Sequence, residues 1–171
     1  MPITLAPAGS NRICRPCGRS STARHGGFAF VRAACETARS VRLPDVRQAL
    51  TPPDAARPFG AYSPAIRAGN LLFISGQVPV DPVTGTLIDG DIKAQTDQVM
   101  RNIATLLKSA GIGFEHVVKT TVFLTDMNEF SAMNERYSTF LPDPPPARST
   151  IQVVRLPRDV KVEIDAIAVI P

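Results

Sequence analysis

From Asn70 onward the chain alternates short β-rich runs with longer stretches of helical periodicity. Asn70 to Gly76 is β-rich, and Ala61 to Ala68 can pair with it through a turn at Gly69 and Asn70. After an Asp81-Pro-Val-Thr-Gly85 turn, Asp89 or Asp91 can cap a helix in which Ile92, Val99, Ile103, Leu106, Leu107 and Ala110 form one apolar stripe. Gly111 suits the C-terminal end of that helix. Val117 to Leu124 is a continuous, β-branched run, the pattern of a central buried strand. A shorter helix begins near Asp126 or Asn128, places Phe130, Met133, Tyr137 and Phe140 on one face, and stops at the proline run Pro144 to Pro146. Two closing strands, Ser149 to Val154 and Lys161 to Ile170, are joined by Arg155 to Asp159.

The order β-β-α-β-α-β-β predicts an α+β domain with two helices on one face of a mixed sheet. Two helices cannot cover both faces. A homo-oligomer that buries the open face is the economical solution. The chain of 171 residues suits a single domain of this kind, and no internal repeat interrupts it.

Charge divides the chain into two parts. Residues 1 to 50 hold eight arginines and no lysine against Glu36 and Asp45, a balance of +6 that exceeds the whole chain's +4 and leaves −2 for residues 51 to 171. Residues 1 to 35 carry no acidic side chain and show no lasting periodicity. Residues 1 to 50 therefore read as a disordered N-terminal extension, either a transit peptide or upstream sequence translated ahead of the domain at 51 to 171. The expected location is cytoplasmic, or mitochondrial or plastid if the extension is a transit peptide. Cys14, Cys17 and Cys35 all lie in the extension. One CxxC with irregular later spacing is a weak zinc signal, and no metal is expected. The folded part has no thiol, so thiol nucleophiles and structural disulfides are excluded there. No apolar run approaches the roughly 20 residues that a bilayer requires.

Few residues are left to carry chemistry. In the last strand Val162, Ile164, Ala166, Ala168 and Ile170 make one apolar face, and Glu163 and Asp165 share the other with Ile167 and Val169. Both acids are either ordinary solvated residues or part of a half-buried interface. Arg148 follows Pro144-Pro-Pro-Ala147, a stiff approach that presents its guanidinium from a fixed support. Its fork matches a carboxylate or phosphate in bidentate fashion. Tyr62 and the Ser75-Gly76-Gln77 step are further candidates, for a ligand or for turn chemistry.

Together these segments resemble the RidA/YjgF family of reactive intermediate deaminases. The similar stretches are Phe59 to Pro64, Phe73 to Pro79, Val117 to Leu124, Met133 to Tyr137, and Pro146 to Thr150 through Val162 to Ala168. The resemblance implies a chorismate-mutase-like fold assembled as a homotrimer, with ligand clefts between neighbouring subunits. It implies hydrolysis of 2-imino acids, or the enamines from which they arise, such as 2-aminoacrylate, 2-iminopropanoate and 2-iminobutanoate. The products are 2-oxo acids and ammonia, and the role is protection of pyridoxal-phosphate enzymes from these intermediates. Arg148 would clamp the substrate carboxylate and Glu163 would hold the water or shuttle a proton. Main-chain groups of Ser75, Gly76 and Thr150 would bind the substrate, and Tyr62 and Asn134 would line the cleft. An electrophilic imine needs no cofactor, and none is expected. The chain departs from many bacterial relatives in having threonine at position 150 where they have cysteine. Asp165 stands where glutamate is frequent, and the approach from Leu141 to Pro145 is short.

Two other readings share these residues. One is an RNA-cleaving translation inhibitor, disfavoured by the −2 balance of residues 51 to 171 and the lack of an aromatic stacking platform. The other is a non-catalytic trimer that binds a small carboxylate through Arg148 alone.

Overall fold

The computed structural model describes residues 47–171. The cysteines and most of the expected extension lie outside the described residues. Three residues of that extension do not fit the expectation of disorder. Gln48–Leu50 form a strand, β1, antiparallel to β2 (Ala65–Ala68), so the ordered domain starts before position 51. Three residues carry too little pattern to announce a strand, and pairing to an existing edge supplies what their sequence lacks.

The remaining strands are β3 (Leu71–Gln77), β4 (Val117–Leu124), β5 (Ala147–Gln152) and β6 (Val162–Val169). Helix α1 (Ile92–Ser109) connects β3 to β4, and α2 (Phe130–Ser138) connects β4 to β5. The six strands are ordered β1-β2-β3-β6-β4-β5, all neighbours antiparallel except β4 and β5. This is the expected mixed sheet, with β1 added at one edge.

Asp91 caps α1 by accepting a hydrogen bond from Ala94 N at 2.9 Å, and Gly111 takes the positive φ of 75° that ends the helical segment. The α1 stripe buries Val99, Ile103, Leu106 and Leu107 against Leu72 and Ile74 of β3 and the alternate residues Val162 to Ala168 of β6. The helices are tied to each other by Lys93 with Glu135 at 2.7 Å and by a two-bond contact of Arg136 with Asp97. Helix α2 ends at Ser138, short of the expected Phe140 and of the proline run. Pro142 disfavours helical backbone at Leu141, and three 3₁₀-type bonds, from Thr139, Phe140 and Leu141 N–H, close the end. Phe140 still packs edge-on against Phe114 at 6.1 Å.

The central buried strand is β6, not β4. β4 buries Thr120, Val122 and Leu124 beneath the helices and turns Thr121 and Phe123 to the opposite face. Its β-branched residues, interrupted by Lys119, thus serve two environments. On the open face Phe73 and Ile151 stay 41% and 46% exposed, with Ile167 paired to Phe73 between them and the charged end of β6.

Candidate active site

Arg148 sits on β5 opposite Thr120 of β4, which places its side chain on the helix-covered side of the sheet. Residues 130, 134 and 137 fall on one face of α2, and that face receives the guanidinium. Its carbon lies 5.3 Å from the Phe130 ring centre and 5.0 Å from that of Tyr137, and Nη1 donates to Asn134 Oδ1 at 2.7 Å. Tyr137 is fixed in turn by a 2.6 Å hydrogen bond between its hydroxyl and that of Thr120, both groups buried. Burial raises the Tyr137 pKa, while the Thr120 hydrogen bond and the Arg148 charge act in the opposite direction. Among the described residues no carboxylate forms an ion pair with Arg148. The fork is held in place by neutral groups and keeps donors available for an anion.

A cavity of about 440 Å³ opens beside this guanidinium, walled by Tyr137, Leu141, Pro142, Pro145 and Pro146, with Ser138 and Asp143 also lining it. A second hollow, of about 260 Å³, collects Phe59, Tyr62, Ser75, Gly76, Pro157 and Glu163. Glu163 lies opposite Phe123, on the sheet face away from the helices. Burial raises its pKa, and the neighbouring Asp165 charge adds to the effect. Asp165 accepts from Thr121 N at 2.9 Å, so its carboxylate is anchored to the sheet. Gly76 lets the backbone reach Glu163: a Cβ there would stand 2.7 Å from the carboxyl carbon.

The expected residues therefore form two groups. Arg148 and Asn134 belong to one, and Glu163, Tyr62, Ser75 and Gly76 to the other. Arg148 and Glu163 stand on strands consecutive in sequence but not adjacent in the sheet: β4 lies between β5 and β6, and the side chains leave the sheet on opposite faces. Ser75 N–H donates to Pro64 O at 3.0 Å and its hydroxyl to Ser63 O at 2.8 Å, so these groups hold the 63–64 turn against β3. Thr150 lies one pleat beyond Arg148, opposite Val122, and its hydroxyl oxygen is buried without a hydrogen-bond partner.

Phe130, Tyr137 and Thr120 were not picked out for the site from the sequence, although the 130/134/137 spacing was available as a signal. Phe59 had only its place in the Phe59 to Pro64 stretch and Pro157 had none, since nothing in the local pattern brings residues 59 and 157 together with 163. Loop closure does so: Arg158 stacks over Phe59 at 5.1 Å, and the loop is clamped by Arg155 with Asp159 at 2.5 Å. Arg158 and Asp159 both take positive φ, of 60° and 59°. Two such non-glycine residues in a row mark a backbone shape imposed by its surroundings.

Residues 53–170 match the endoribonuclease L-PSP family. A RutC family protein of Pyrococcus horikoshii is 49% identical over 123 residues, covering 72% of this chain and 98% of the relative. The mouse 2-iminobutanoate/2-iminopropanoate deaminase is 43% identical over 124 residues, covering 72% of this chain and 92% of that protein. The solved structure of RidA from an Antarctic Psychrobacter superposes with a TM-score of 0.70 at 41% identity, over 72% of this chain and 99% of the other.

Proposed function

The chain belongs to the endoribonuclease L-PSP family, which includes the RidA/YjgF proteins, and from that premise we propose that it hydrolyses 2-imino acids to 2-oxo acids and ammonia. The observation that carries this reading is the guanidinium of Arg148, without a carboxylate partner among the described residues and held by Phe130, Asn134 and Tyr137 at the mouth of a cavity. In this reading Arg148 binds the substrate carboxylate and fixes the imine carbon for attack. Glu163 takes a proton from the attacking water and returns it to the nitrogen, giving a carbinolamine; transfer of the hydroxyl proton to the nitrogen as the C–N bond breaks and C=O forms then releases ammonia and the 2-oxo acid. An enamine such as 2-aminoacrylate is first protonated at carbon to give the imine. A carboxyl whose pKa is raised by burial suits proton exchange nearer neutral pH.

The distribution of these groups supports a shared site. Arg148 and Glu163 leave opposite sheet faces, so one substrate meets both only if a second copy brings its Glu163 face to the Arg148 edge. β5 is the sheet's terminal strand, and the Glu163 face carries the exposed Phe73 and Ile151. Burial of that apolar surface between copies in a cyclic trimer would unite the two groups.

The test is ammonia release from freshly generated 2-iminopropanoate. Arg148→Ala should lower kcat/KM by about 10- to 100-fold, the range for losing a charged hydrogen-bonded contact of about 1.5–3 kcal/mol. Undiminished release from that variant would contradict the reading.

A further inference from the structure

We propose that the cavity beside Arg148 is a side-chain pocket that makes 2-imino acids with branched or aromatic apolar side chains better substrates than 2-iminopropanoate. This rests on the deaminase reading and names its substrate class. With the carboxylate on the Arg148 fork, the α-carbon of the substrate stands at the cavity mouth. Beyond it the walls are Leu141, Pro142, Pro145 and Pro146. At about 440 Å³ the space falls in the range of about 300–1,000 Å³ that holds ligands far larger than a methyl group.

Proline walls have no side-chain rotamers to freeze, so a substrate group entering here does not have to order them. Leu141 is held from behind by its packing on the main core. The lining offers one other formal charge besides Arg148, the exposed Asp143. A carboxylate there repels acidic side chains and leaves apolar ones unaffected. Asn134 Oδ1 already accepts from Arg148, and the Tyr137 hydroxyl is engaged by Thr120, so neither oxygen is left to demand a polar partner deep in the pocket. Each buried methylene, at about 0.8 kcal/mol, corresponds to about fourfold in kcat/KM.

The experiment generates imino acids in situ from alanine, leucine and phenylalanine with an amino-acid oxidase and measures oxo-acid formation by the full chain. The expected result is at least a tenfold higher kcat/KM for the leucine- and phenylalanine-derived imines than for the alanine-derived one. Ser138→Trp, at the exposed end of α2, should fill the cavity and reduce that preference at least tenfold. Leu141→Phe should reduce it in the same direction and guards against a local fault of the first variant. A flat or reversed dependence on side-chain size in the wild-type chain overturns the proposal while leaving the deaminase reading intact. So does a preference that survives both variants. Failure to turn over any of the three imines removes the deaminase reading itself, and the pocket assignment with it.

Discussion

At Glu163 the environment sets both a chemical role and a stability cost. Its folded-state pKa is raised, so the charged form is disfavoured in the folded chain. The contribution of this group to stability is full below the ordinary value of 4.5 and is lost as pH rises through the raised folded value. Glu163→Gln should therefore raise the melting temperature at pH 7 to 8, with the gain vanishing below about pH 4. Thermal melts across pH check the sign; a gain confined to acid would refute it. The same variant should lose turnover while still binding a carboxylate analogue. Gly76→Ala meets the Glu163 carboxyl and should impair turnover more than it impairs analogue binding. The residue scale is also where sequence reading went furthest. Arg148 and Glu163 could be singled out by type and setting. Their separation across β4 could not, because sheet order depends on pairings that no local pattern encodes.

Among the elements, α2 links the core to the site. Its inner face puts Met133 and Tyr137 into the apolar cluster, and the same turns carry Phe130 and Asn134 to Arg148. Tyr137→Phe leaves the Thr120 hydroxyl buried without its partner and should cost about 1–2 kcal/mol in chemical denaturation. It should also raise KM more than it lowers kcat, since the ring remains but its anchor is gone. Removing the α1 cap with Asp91→Ala should cost about 1 kcal/mol with no change in the ratio of kcat to KM. Helix positions and the strands β2, β3 and β6 were legible because periodicity and capping chemistry act within each segment. β1 was not legible, because its identity comes from the edge it joins. β4 was read as central because β-branched residues favour both of its faces, whichever surface they meet.

The described residues together present an open sheet face with apolar and acidic ends, and an edge strand bearing an arginine that has no carboxylate partner among them. In the proposed shared site these two surfaces meet on different copies. A charge at the exposed Ile151, as in Ile151→Asp, should shift the native mass toward the monomer and lower turnover in proportion. The central claim is that Arg148 of one copy and Glu163 of another act on one substrate. It is tested by mixing two impaired variants, Arg148→Ala and Glu163→Gln, under conditions where subunits exchange, and measuring ammonia release from 2-iminopropanoate. Random assembly pairs an intact arginine with an intact glutamate at about a quarter of the sites. The expected activity is near that fraction of wild type in the mixture, and about a tenth of wild type or less in either variant alone. A mixture as inactive as its components, despite proven subunit exchange, would contradict it.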